Sequence, residues 1–220
     1  MKQLIIALVA LCMPALSVAA GGGNNPYVVH APINMDDKVS LQKGAQIFVN
    51  NCLGCHSAQY MRYERVADDL GIPHDVMMEN LVFTTDKIGE TMQSAIPADL
   101  AKKWFGGVPP DLTLQARVRG ADWIYSYLVN FTIDESRPWG VNNNVFKDVG
   151  MPHVMQKMQD ELSEDEFKER MADLTNFMVY MSEPIRAERE RLGAWVIAFL
   201  VFLMLPVAYM LNREYWKDIH

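Results

Sequence analysis

Two strongly apolar stretches bracket a mixed middle. Met1, Lys2 and Gln3 precede an apolar run from Leu4 to Leu16, followed by Ser17-Val18-Ala19-Ala20 and three glycines. A charged start, a core of that length and small residues at its end predict a secretory signal peptide over residues 1–20, cut after Ala19 or Ala20. An uncleaved N-terminal helix is the plain alternative. Cys12 follows bulky Leu11, so it reads as part of the signal rather than as a lipoprotein site. At the other end, residues 192–211 run without a charge. At 1.5 Å per residue they span about 30 Å, the thickness of a hydrocarbon core. Trp195, Tyr209, Tyr215 and Trp216 sit near its edges as an aromatic belt does, and a membrane helix tolerates Gly193 and Pro206. The pattern predicts one transmembrane anchor over 192–211 and a short tail over 212–220. A buried core helix is the competing reading.

Helical spacing dominates the middle. Ser40 is an expected N-cap for a helix with Leu41, Ala45, Phe48 and Cys52 on one stripe. A second helix is expected from about Tyr60 to Leu70, closed by Gly71 and Pro73. Residues 73–110 show no strong period and suggest short helices, loops and a small strand near Leu81-Val82-Phe83. Pro109-Pro110-Asp111 is expected to open a helix to about Arg119. Another follows, with Ile124, Leu128 and Phe131 spaced along it. Residues 132–162 are loop-rich. Ser163 and Glu166 then form a capping box ahead of a stripe of Phe167, Met171, Leu174, Met178 and Met181, and Pro184 restarts the chain as the helix that enters the membrane. The fold class expected is mainly α, with loop-rich insertions and one C-terminal transmembrane helix.

Charge narrows the function. The 220 residues carry 20 Lys+Arg against 27 Asp+Glu, a net charge of −7, which argues against nucleic-acid binding. The basic residues flanking the anchor slightly favour the opposite orientation, with Arg186, Arg189 and Arg191 before it and Arg213 and Lys217 after it. The export signal is taken to decide, so residues 21–191 are expected outside the cytoplasmic membrane and 212–220 inside. Over 21–191 there are 25 acidic and 17 basic side chains.

Cys52-Leu53-Gly54-Cys55-His56 is C-x-x-C-H, the attachment signature of c-type haem. Thiols at i and i+3 share a helix face and can bond the two vinyl groups along one haem edge, and the next histidine can then reach the iron. Zinc would need two further ligands, which the mature chain does not group. A thioredoxin-like pair wants a preceding strand, and a local disulfide leaves His56 unexplained. Among 15 methionines, Met151 stands apart, because Gly150-Met151-Pro152 lies in an irregular polar loop where a side chain must be held outward. It is the expected sixth ligand, with His153 as its competitor. Methionine there raises the potential and saturates the iron.

With these features the chain resembles the cytochrome c1 family, in its compact bacterial form. The resemblance rests on Lys43 to Phe48 leading into Cys52–His56, on Ser57 and Tyr60, on Pro109-Pro110-Asp111-Leu112-Thr113, and on Arg117-Val118-Arg119. Tyr125 and Tyr127, Gly150-Met151-Pro152 and the single C-terminal anchor complete it. It implies that Cys52 and Cys55 hold one covalent haem c, that His56 and Met151 are its axial ligands, and that Arg119 or Arg117 meets a propionate. It implies no catalytic residues and no enzyme activity of the chain alone. The role implied is an electron-transfer subunit of a quinol–cytochrome c reductase, beside cytochrome b and a Rieske iron–sulfur subunit. Electrons would pass from the Rieske subunit to a soluble cytochrome c, with the haem domain on the periplasmic side of a bacterial inner membrane. A cytochrome subunit of a terminal oxidase, or a haem-based sensor or peroxidase, are the alternatives.

Overall fold

The computed structural model describes residues 25–215 and Lys217. The signal peptide expected over 1–20, and most of the tail beyond 215, lie outside these described residues. Helix α1, Lys38–Ile47, is capped by Asp37, whose carboxylate accepts from the backbone N–H of Val39 at 3.0 Å and of Ser40 at 3.1 Å. Ser40, the cap expected from sequence, falls inside the first turn because Asp37 takes that role, and its hydroxyl donates to Asp173 at 2.6 Å. The helix runs on through a wider turn, Phe48–Cys52.

The helix expected over 60–70 divides into strand β1, Ala58–Arg62, and helix α2, Tyr63–Leu70. Strand β1 pairs antiparallel with β2, Thr91–Met92, a partner some thirty residues away that local periodicity does not reveal. No strand forms at 81–83. Leu81 and Val82 are buried there in irregular backbone. Helices α3, His74–Asn80, and α4, Ala98–Phe105, fill the irregular stretch.

Helix α5, Gln115–Arg119, starts later than Pro109 predicts. The carboxylate of Asp111 accepts from the backbone of Gln59 at 2.8 Å and of Thr113 at 2.9 Å, and Leu112 N–H donates to the Ser57 carbonyl at 2.8 Å. These bonds tie the Pro-Pro-Asp-Leu segment to the chain just after the C-x-x-C-H motif and compete with helix formation. Helix α6, Ala121–Val129, leads into a two-stranded hairpin of β3, Phe131–Ile133, and β4, Val141–Asn143. Helix α7, Gln156–Glu161, precedes α8, Glu164–Ser182, which begins with the predicted Ser163–Glu166 capping box.

Helix α8 is the spine. Its stripe of Phe167, Met171, Leu174, Met178 and Met181 is buried, as is that of Leu41, Ala45, Phe48 and Cys52 along α1 and the wider turn that continues it. The two helices cross at Gly44, where a Cβ would sit 2.1 Å from the Asp173 carbonyl oxygen, and Phe48 meets Phe177 at 5.6 Å between centroids. Glycine therefore sets the distance between the backbones, and α8 fixes the end of α1 that carries Cys52.

Helix α9, Arg186–Phe199, and helix α10, Leu205–Met210, belong to one uninterrupted helix over Arg186–Tyr215. Its mean hydropathy reaches 2.4, and none of that apolar window is buried against the body. Its length and composition suffice to cross a membrane. The fold is thus mainly α with one long apolar C-terminal helix.

Candidate functional site

A cavity of about 420 Å³ opens between the end of α1, helices α5, α6 and α8, and the loop after β4. It brings together Cys52, Cys55, His56, Arg119 and Met151, residues spread over a hundred positions of sequence. Its walls are mostly apolar, with Phe105, Leu112, Trp123, Leu128, Phe146 and Leu174 among them.

The backbone turns tightly at the motif, where the N–H groups of Cys55 and His56 both donate to the Cys52 carbonyl, at 3.1 and 2.9 Å. Cys52 is buried, Cys55 is half-buried, and both thiols are free. Burial, and then the neighbouring Cys55, push the Cys52 thiol up to about 12. His56 Nδ1 lies 2.7 Å from the Pro110 carbonyl oxygen. A carbonyl can only accept, so Nδ1 carries the proton and Nε2 keeps a free lone pair. Burial lowers the His56 pKa, while the Pro110 carbonyl and Asp111 pull the other way. The imidazole is therefore neutral at pH 7, as a metal ligand must be.

Met151 is half-buried, and its sulfur accepts from the Tyr127 hydroxyl at 3.4 Å. Tyr127 stacks on Trp123, 5.2 Å between centroids and 8° between planes, and meets Phe131 edge-on at 5.2 Å. Burial raises the Tyr127 phenol far above its usual range, so it remains a donor. His153, the competitor to Met151, is not among the residues that line the cavity. It stacks on Phe131 at 4.5 Å, and its Nε2 donates to Gln159 at 2.7 Å.

Arg119 lines the cavity, with its guanidinium 4.8 Å from the Trp123 ring centroid and 5.9 Å from that of Phe146. Arg117 lies outside the lining and pairs with Glu183 at 3.1 Å. Sequence reasoning did not find the roles of Pro110, Trp123, Tyr127 and Phe146. The i, i+4 spacing of Trp123 and Tyr127 within α6 was a usable signal for their stack. Nothing local marked the Pro110 carbonyl or Phe146.

The donor set suits a haem. Among the described residues no group of three or more His, Cys, Asp or Glu could hold a bare metal ion. The cavity instead offers two thiols, one imidazole nitrogen, the thioethers of Met151 and Met178, and one guanidinium around apolar walls, and its volume falls in the range of ordinary cofactor sites.

The family model described as Cytochrome C1 family matches residues 27–219. Cytochrome c1 of Allochromatium vinosum is 43% identical over 247 residues, covering 100% of both chains. The ammonia monooxygenase gamma subunit of Nitrosomonas europaea is 40% identical over 237 residues, again covering 100% of both. Cytochrome c1 of Rhodobacter capsulatus is 23% identical, covering 98% of this chain and 97% of its own. A solved chain of a hyperthermophilic respiratory Complex III covers 100% of this chain and 98% of its own length, with a TM-score of 0.46 and 18% identity. With a family match from residue 27 to residue 219 and full-length relatives at 40% identity or above, the chain belongs to the cytochrome c1 family.

Proposed function

We propose that the chain is the haem c subunit of a quinol–cytochrome c reductase, taking electrons from a Rieske iron–sulfur subunit and passing them to a soluble cytochrome c. The observation that carries this reading is the His56–Pro110 hydrogen bond in a cavity that also holds Met151 and the Cys52–Cys55 pair. It leaves a neutral imidazole and a thioether as the ligand set, which suits electron transfer better than chemistry at an open iron. When bound, a haem c supplies one-electron exchange between ferrous and ferric iron.

The residues of the chain do the rest. Cys52 and Cys55 hold the group covalently. Pro110 fixes the orientation and tautomer of His56, so that Nε2 would be free to bind the haem iron. Met151 would supply a second iron ligand through its sulfur, to which the Tyr127 hydroxyl donates. Arg119, ordered by its stack on Trp123, offers its charge to a propionate. Leu112, Leu128 and Leu174 line the cavity with apolar surface that would shield the group from water. The helix over 186–215 anchors the body beside cytochrome b, with the cavity on the periplasmic side of a bacterial inner membrane, and raises the effective concentration of donor and acceptor.

Purifying the assembly through this chain tests the role. We expect haem b and an iron–sulfur protein to copurify, quinol to reduce the haem c only when the iron–sulfur subunit is present, and ferric soluble cytochrome c to reoxidise it. Copurification with an oxygen-reducing oxidase, or with a monooxygenase and no haem b, contradicts it.

A further inference from the structure

The loop that delivers Met151 has no strand or helix of its own between Asn143 and Gln156, apart from turns. Three residues ahead of Met151, Asp148 adopts φ +62°, the one non-glycine positive φ among the described residues. That left-handed turn places the carbonyls of Asp148 and Val149 within reach of Arg137, on the loop between β3 and β4. Nη2 of Arg137 lies 2.8 Å from the Asp148 carbonyl and 3.3 Å from that of Val149, and Nη1 lies 3.3 Å from the Asp148 carboxylate. The grip belongs to a closed circuit. The Asp148 N–H donates to the side-chain oxygen of Asn142 at 2.9 Å, and the Asn142 amide donates to Asp134 at 2.9 Å. The Arg137 N–H returns to the Asp134 carbonyl at 3.1 Å. Val149, next in the chain, is buried with Phe131 and Val141, and Met151 packs against that cluster.

We propose that Arg137 is a positioning residue for Met151, its guanidinium clamping the Asp148–Val149 backbone so that the thioether stays at the cavity. The proposal rests on the reading of Met151 as an axial ligand. The Arg137 side chain is 27% exposed but the Asp148 carboxylate is 63% exposed, so water screens the ion pair and the bonds to the two carbonyls carry the clamp. A planar fork that bonds two carbonyls and a carboxylate is a role lysine fills poorly, because an ammonium is a point donor. Without the fork, the left-handed turn at Asp148 keeps only the Asn142 bond, and Met151 withdraws more often.

The full chain carrying haem, in detergent, provides the test, with Arg137→Gln, Arg137→Lys and Met151→Leu compared with the parent. The readouts are the sulfur-to-ferric-iron charge-transfer band and the rate at which carbon monoxide combines with the reduced protein. Arg137→Gln is expected to keep its haem, weaken the band, and combine with carbon monoxide about tenfold faster, the factor expected for losing one charge-assisted contact. Arg137→Lys, the variant least able to disturb folding, falls between Gln and parent, and Met151→Leu loses the band. Parent-like rate and band in both Arg137 variants, with the band lost in Met151→Leu, overturn the role of Arg137 and leave Met151 as ligand. A band that survives Met151→Leu overturns the ligand reading, and the clamp with it.

Discussion

His56 and Met151 show how single atoms decide chemistry. The Pro110 carbonyl takes the proton-bearing nitrogen of His56 and so frees the other. The Tyr127 hydroxyl donates to the Met151 sulfur; with Met151 as the proposed iron ligand, this bond would withdraw electron density from the sulfur and disfavour ferric iron. Tyr127→Phe is therefore expected to lower the midpoint potential by on the order of 20–60 mV, the equivalent of one neutral hydrogen bond, with ligation unchanged. A redox titration followed optically checks this, and an unchanged potential counts against the contact. Met151→Leu should keep the haem attached and lower the potential by more than Tyr127→Phe does. The pentapeptide around Gly54 and the Gly-Met-Pro step were legible in the sequence because each is a local spacing. The Pro110 carbonyl was not, because any residue has one and only the fold says which will face His56. The different placement of Arg117 and Arg119 was likewise not legible, because it depends on the turn of α5, which sends one to Glu183 and the other to the cavity.

At the scale of elements, the site depends on α1 crossing α8. Gly44→Ala places a Cβ on the Asp173 carbonyl, and neither backbone can yield without moving Cys52. We expect a cost of about 3 kcal/mol or more, at the upper end for overpacking, seen in thermal unfolding and as poor haem incorporation. Asp173 itself is 5% exposed, and burial raises its pKa against the opposing Ser40 bond and Lys43. An acid whose folded value is raised contributes fully below its unfolded pKa and loses that contribution as pH rises through the folded value. Asp173→Asn should therefore raise the melting temperature by a few degrees at pH 7, with the gain vanishing toward pH 3. A gain that is independent of pH contradicts this. Periodicity announced both helices, since their buried stripes repeat at helical spacing. It misread residues 60–62 and 109–114, where a distant strand and an aspartate side chain supply bonds that a helix would otherwise make.

For the whole molecule, the 30-residue terminal helix buries none of its apolar window in the body. A chain ending at Ile185 should therefore be released in soluble form with its haem and spectrum intact, and aggregation without haem would show that the anchor supports the fold. Residues 21–191 are acidic, with 25 acidic and 17 basic side chains. Association with a basic carrier should slow as ionic strength rises, since screening shortens the reach of the field, and stopped-flow mixing at several salt concentrations reads it. The central claim is that residues 52–56 carry a covalent haem. Intact-mass measurement of the full chain, made in cells competent for cytochrome c maturation, tests it most directly. The expected mass is that of the polypeptide plus one haem, lost only when Cys52 and Cys55 are both replaced. A bare polypeptide mass, or haem retained in that double variant, contradicts it.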